Sequence, residues 1–505
     1  MRHSNPGLRA IAAMFFRADW LLVAAIICVA AATPAWAGEP QFPAHAPWFN
    51  VTRPLTARDL RGHVVLLDFF TPGCINCIHL LPETRKLERE FGGRLLIIGV
   101  NSPKFTASRR SGNIEGFLQR YDIRHPVVTD QGMVLWNHYG VMAWPTQILL
   151  GPTGDVVGRY IGEGHYAGIR KAVIKTLAGG RRAGALSTHA LPLKPREHGS
   201  HGLLQPGKVA VDGRYVAISD TGHNRVVLLD HAGKVARVVG NGRRGDRDGG
   251  PGHAEFDGPQ GLAFRGAVLY VADTGNSLIR AVNVKTGRVS TVAGNGRREY
   301  GVRGTHAARS VALNSPWGLQ VVGNDLYIAM AGDHQIWKLD LSDGRLGPYA
   351  GNGMEGIGDG SRRQASFAQS SGLAYHQGML YVADPEASAL RRINVATGVV
   401  HTLVGKGLFT FGMRNGPEGQ ALLQHDQGLA WLDHRLYIAD TFNNAIRVLN
   451  LKTQRVTTLS TGLAQPGGLA VLDKHTLLVA DTNADRIVAV NIRTGGYHRW
   501  AVKGL

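Results

Sequence analysis

Leu66-Leu67-Asp68-Phe69-Phe70-Thr71-Pro72-Gly73-Cys74-Ile75-Asn76-Cys77 is the stretch whose reading decides the first half of the chain. It reads as an apolar strand, a tight turn, and two cysteines three apart that open a helix. The placement carries chemistry. The thiolate is the reactive form of cysteine, and a helix N-terminus offers unpaired N–H groups and partial positive charge to stabilise it. Three residues is close to one helical turn, so the second sulfur can reach back and close a Cys74–Cys77 disulfide. Cys74 is expected at the helix start and exposed, Cys77 one turn in and more covered. Structural zinc needs a second ligand pair, which is lacking, and c-type haem attachment needs His directly after the second Cys, where Ile78 stands.

Outward from this motif, length and composition bound the rest. A chain of 505 residues exceeds one ordinary core and predicts two or three domains. With 44% hydrophobic and 18% charged residues it is globular, and 66 glycines predict a strand-rich, turn-rich region. Arg2, Arg9 and Arg17 precede an apolar run from Trp20 to Ala32 and the small-residue site Ala35-Trp36-Ala37, the pattern of a secretory signal peptide over residues 1–37. The run is short of the roughly 20 residues of a spanning helix. Cleavage before Gly38 and a periplasmic or extracellular address are therefore expected; a membrane anchor facing outside is the alternative. Of the three cysteines, Cys28 lies in the leader, which leaves Cys74 and Cys77. Losing the leader's three Arg and one Asp lowers the net charge from +19 to +17. Such a charge favours anionic surfaces. No nucleic-acid-binding pattern accompanies it, no metal-ligand spacing emerges among the 21 His, and no cofactor motif appears.

Residues 38–180 alternate strand and helix patterns: the strand Val64 to Phe70, a helix over 78–91 interrupted by Pro82, the apolar run Arg94 to Val100, a helical stretch over 113–121, then Trp144-Pro145-Thr146 leading into the strand Gln147 to Leu150, a hairpin to Ile161 and a last helix from Tyr166 to Ala178. This predicts an α/β domain. It resembles the thioredoxin superfamily, closest to exported thiol-disulfide proteins of the redoxin kind. The resemblance implies that Asp68, six before Cys74, is a buried proton acceptor and that Pro145 is the cis-proline facing the disulfide. Gly73 departs from the family, which usually has Trp there. Peroxiredoxins are similar too, with Thr71 matching but Leu67 replacing their Pro, so a thiol peroxidase is the second alternative. Gly179-Gly180 is expected to break the last helix, with residues 181–205 as a linker; Ala185 to Pro192 could instead supply a strand that closes the next domain.

Residues 206–505 repeat six times. Each unit has a strand starting at an anchor Gly, a second ending in Ala-Asp, and two more. Examples are Leu269-Tyr270-Val271-Ala272-Asp273 and Leu436-Tyr437-Ile438-Ala439-Asp440. The anchors are Gly261, Gly318, Gly372, Gly428 and Gly468, with Lys208 in the first copy, and Met330 replaces the Asp in the third. Four short strands six times over predict an all-β six-bladed β-propeller, similar to NHL repeats. The repeated Asp reads as a turn-holding residue rather than a catalytic one, and the interblade loops as packed in register. The Arg pairs Arg243-Arg244, Arg297-Arg298 and Arg362-Arg363 read as a solvated rim. The whole chain resembles thioredoxin-like NHL-repeat proteins. That implies a thiol-disulfide oxidoreductase acting on protein thiols or disulfides, with the propeller as docking surface for a protein partner; the alternative is a binding protein acting through the propeller.

Overall fold

The computed structural model describes residues 40–194 and 202–505; the expected leader lies outside them. Strands β1 (Trp48–Phe49), β2 (Val64–Phe70), β3 (Leu95–Asn101), β4 (Val127–Thr129), β5 (Thr146–Leu150) and β6 (Val156–Ile161) form one sheet, ordered β1-β4-β3-β2-β5-β6. The strands β2, β3 and β4 are parallel, and the outer pairings are antiparallel. Helices α1 (Ala57–Leu60), α2 (Ile75–Phe91), α3 (Ser111–Arg120), α4 (Val134–His138) and α5 (Tyr166–Arg182) surround it. The unbroken apolar runs of β2 and β3 follow from burial on both faces. Val65, Leu67 and Ile98 pack with Leu60 of α1 and Leu135 of α4, while Val64, Leu66 and Ile97 pack with Leu87 of α2 and Val173 of α5.

Two expectations at the domain boundary are corrected. Helix α5 runs through Gly179-Gly180 to Arg182. Gly180 is a close-approach site there: a Cβ on it would lie 2.8 Å from Leu186 Cδ2 and 3.0 Å from Pro152 Cγ. The segment after it belongs to the first domain and not to the propeller. Ser187 N donates to Gly62 O (2.8 Å), Thr52 N to Pro192 O (2.9 Å), and Val51 bridges to Leu193.

The rest forms six antiparallel sheets around an axis, the thioredoxin-like domain being followed by an all-β six-bladed propeller. Blades three and five gain a fifth, outer strand from their interblade loops, His306–Ala307 and Gly416–Pro417. Blade six is complete within its own segment, ending in Tyr497–Arg499, and the C-terminal tail then pairs onto blade one through Lys234 and Lys503. The ring closes by this tail, without residues 185–192.

The repeated Asp holds five of the six blades together. Asp273 and Asp440 accept the backbone N–H of Asp257 and Gln424 (both 2.8 Å) in the loop before the innermost strand. They also pair with Arg280 (2.7 Å) and Arg447 (2.8 Å), seven residues on, and Asp384 pairs with Arg391 likewise (3.4 Å). Each of these fully buried Arg reaches into the interblade loop, to Asp248, Asp359 and Asn415. In blade three both partners change together: Met330 stands for the Asp and buried Trp337 for the Arg, an apolar pair in place of an ionic one.

Candidate functional site

The two cysteines sit where the sequence predicts, Cys74 as N-cap of α2 and Cys77 in its first turn. Gly73 has φ +95°, a left-handed conformation that suits a residue without Cβ and turns the chain from β2 into the helix. Cys77 N–H donates to Cys74 Sγ at 3.3 Å, and the sulfurs lie 2.7 Å apart as free thiols. Burial, together with the Cys74 contact, raises the Cys77 thiol well above its ordinary value. Asp68 points from β2 into the same interior, 4% exposed, with its Oδ1 lacking a hydrogen-bond partner among the described residues. Burial lifts its pKa to about 6, against the opposing pull of His125 and Gln147. The Trp144–Pro145 bond is cis, and Trp144 packs against the cluster that holds both cysteines.

The expectation of an exposed Cys74 is not met. Cys74 is 5% exposed and Cys77 4%. The propeller face carrying the turns after each Asp rests on the start of α2. Six equivalent residues lead into the innermost strands, three before each anchor: Gln205, Gly258, Ser315, Gln369, His425 and Gln465, all with φ between +49° and +64°. The left-handed turn aims several of their side chains at the first domain. Gln369 Oε1 accepts the N–H of Ile75 (2.8 Å), taking one of the free donors of the helix N-terminus. Ser315 Oγ bonds His79 Nε2 (2.6 Å), and Gln205 Oε1 accepts from Arg120 Nε (3.0 Å). The His425 ring lies against Gly73. These contacts were invisible in the chain order, although the repeat itself marks the six positions.

Charge pairing closes the rest of the interface. Lys104, in the loop after β3, forms a buried ion pair with Glu386 of the propeller, and its backbone N–H bonds Thr71 Oγ1 (3.1 Å). Glu163 accepts from Arg298 (3.2 Å) and Tyr300 of the propeller and bonds His79 Nδ1 (2.9 Å). Arg298 is thus drawn into the interface, and Arg244 pairs with Asp257 at 2.9 Å, so these members of the Arg pairs are engaged rather than free. Burial pushes His425 down to about 3, with Lys104 and Arg120 adding to the effect, so its ring is neutral at physiological pH. Between Gly73, Ile78, Trp317 and His425 a cavity of about 40 Å³ remains. His425 Nδ1 and Trp317 Nε1 have no hydrogen-bond partner there among the described residues.

Chemically, the arrangement is a dithiol at a helix N-terminus, a buried carboxyl of near-neutral pKa on the preceding strand β2, and a lid supplied by a second domain. No group of His, Cys, Asp and Glu among the described residues has the geometry to hold a metal ion.

Comparison with known proteins covers both halves. The sequence profile of a family described as Thioredoxin-like matches residues 62–156. NHL repeat-containing protein 2 of Bos taurus is 38% identical over 518 residues, covering 90% of this chain and 70% of that protein. The protein SUPPRESSOR OF QUENCHING 1, chloroplastic, of Arabidopsis thaliana is 36% identical over 495 residues, covering 90% of this chain and 47% of its own length. At the level of the first domain, the thiol-disulfide oxidoreductase ResA of Halalkalibacterium halodurans is 31% identical over 108 residues, which is 21% of this chain and 57% of that one. Because the likeness to the first of these runs through the thioredoxin-like domain and the propeller alike, the chain belongs to the family of NHL repeat-containing protein 2.

Proposed function

We propose that this chain is an exported thiol-disulfide oxidoreductase with Cys74 and Cys77 as its redox pair and protein thiols or disulfides as its substrate. The Cys74 thiolate bonds to one sulfur of a partner disulfide; the partner S–S bond breaks and the second partner sulfur leaves as a thiolate that takes up a proton. Cys77 passes its proton to Asp68 and attacks Cys74. The mixed disulfide breaks, the partner leaves with both sulfurs reduced, and the Cys74–Cys77 disulfide carries the two electrons' worth of oxidation. Oxidation of a partner runs the same steps backwards.

The observation that carries this reading is the pair of free sulfurs 2.7 Å apart at the N-terminus of α2. A buried Asp68 titrating near 6 supports the proton step, since an acid–base group works best near the ambient pH. The first-domain relative that is named a thiol-disulfide oxidoreductase supports the reaction class. The leader pattern in residues 1–37 supports export. The cover over Cys74 adds a condition: a protein partner reaches the sulfur only after the propeller face lifts from α2, which breaks the Ile75–Gln369 and Lys104–Glu386 contacts.

The test is asymmetric trapping. Cys77→Ser is expected to accumulate covalent partner adducts, and Cys74→Ser almost none, with mass spectrometry identifying the adduct. Equal trapping by the two variants, or no adduct with Cys77→Ser, overturns the assigned roles and favours a binding protein that works through its propeller.

A further inference from the structure

The propeller axis holds a charge that the redox reading leaves unused. In five blades the innermost strand carries a glycine at or within two residues of its start, for a steric reason. A Cβ on Gly261 would lie 2.4 Å from Trp317 O, on Gly318 2.6 Å from Ser371 O, and on Gly372 2.6 Å from Gln427 O. The first blade has Lys208 at this position. Its side chain reaches to blade six beside it and to blade five beyond, where Nζ donates to Gly467 O at 2.8 Å and to Gln427 O. Lys208 is 8% exposed.

Both acceptors are neutral carbonyls. An ammonium has three N–H donors, and the third has no acceptor among the described residues. No carboxylate pairs with Lys208 there either, and burial alone pulls its pKa down to about 7. A buried charge is costly unless an opposite charge meets it. The space beside it is large. A channel of about 500 Å³, lined by the six innermost strands, begins at Lys208 and the anchor glycines. Each lining strand is an edge strand of its sheet, which leaves both backbone N–H and C=O groups outside the ladders along the axis. The acidic side chain on the wall, Asp212, is turned to its own loop, where Oδ1 accepts from the N–H of Arg214 (2.7 Å) and Tyr215 (2.6 Å). The volume falls within the range of about 300–1,000 Å³ of small-molecule sites.

We propose that the central channel of the propeller is a binding site for a small organic carboxylate, whose carboxylate group pairs with the Lys208 ammonium and whose body occupies the channel. This site is independent of the thiol chemistry. The competing role for Lys208 is a staple that joins blade one to blades five and six, with no ligand.

Calorimetric titration of the full chain with acetate and succinate, at constant ionic strength set by chloride, separates the two. Saturable binding of a carboxylate is expected, weakened by about tenfold or more in Lys208→Met. At pH 7.5, binding is expected to draw a proton from the buffer, because a paired ammonium holds its proton more tightly. Asp212 and Tyr375, the other titratable groups on the channel wall, are controlled by Asp212→Asn and Tyr375→Phe, which are expected to keep the uptake. If Lys208→Met fails to fold, the proton uptake in the unaltered chain decides. Absence of saturable carboxylate binding, equal affinity in Lys208→Met, or binding of phosphate alone overturns the proposal.

Discussion

A β-carbon on Gly73 would lie 2.6 Å from Cε1 of His425, so the residue before the first cysteine and the fifth blade are fitted to each other. Thioredoxin-like chains commonly carry Trp at this place; here the lid domain occupies the room that an indole would need. Gly73→Ala is expected to destabilise the protein by about 1–3 kcal/mol, from overpacking and from a φ of +95° that suits glycine. Urea unfolding checks it. Adding His425→Ala is expected to return the steric part and leave the backbone part. If the loss is the same with and without His425, the contact is not its cause.

Asp68 gives a pH signature with a definite sign. Its carboxyl titrates at about 6 in the folded chain against an ordinary 3.8. Between these values the folded state binds more protons than the unfolded one, so this group makes stability fall as pH rises, and the fall levels off above about pH 6. Asp68→Asn removes the effect. The variant is expected to gain about 2 kcal/mol over the parent in moving from pH 4 to pH 8, while the resolving step of exchange slows. A stability difference that stays constant over this range contradicts the burial of an ionisable carboxyl.

The lid predicts slow chemistry at Cys74 in the resting state. Alkylation of the reduced chain by a small maleimide is expected to be slow, and Glu386→Gln, which leaves Lys104 without its buried partner, to speed it by about tenfold or more. Mass-resolved labelling kinetics measure this. Labelling as fast as that of an unfolded control, with no response to Glu386→Gln, would remove the lid from the account.

In the blades, Arg447→Met strands the fully buried Asp440 and is expected to cost about 3–5 kcal/mol. Replacing both, Asp440→Met with Arg447→Trp, copies the Met330 and Trp337 pair of blade three and is expected to cost less than the single change. Thermal unfolding of both variants is the check; a double variant worse than the single one shows that the two blades differ in more than this pair.

What could be read in the sequence was local or repeated. The strand Val64 to Phe70 and the place of Asp68 before Cys74 depend on a few consecutive residues, and the six blades announce themselves by recurrence. The repeated Asp was legible as structural because it recurs. Its buried partner Arg, seven residues on in blades two, four and five, is signalled only by the joint change to Met330 and Trp337 in blade three. Contacts between distant segments were not legible. The departure at Gly73 stands out in the chain, but its cause, His425, lies in the fifth repeat. The exposure expected of Cys74 follows from the helix start alone and fails because Gln369 and its neighbours cover that start. Gly179-Gly180 reads as a helix breaker, yet the helix continues because Leu186 and Pro152 pack where a side chain would be.

The central claim, a working Cys74–Cys77 redox pair, is tested most directly by a redox titration. The full chain is equilibrated in graded dithiothreitol and glutathione buffers, quenched with acid, alkylated and weighed. A single two-electron transition is expected, from two alkylated cysteines to an intramolecular Cys74–Cys77 disulfide, with a midpoint within the span of about −270 to −120 mV known for thiol-disulfide proteins. Thiols that stay free in the most oxidising buffer, or that form only mixed disulfides with glutathione, would contradict it.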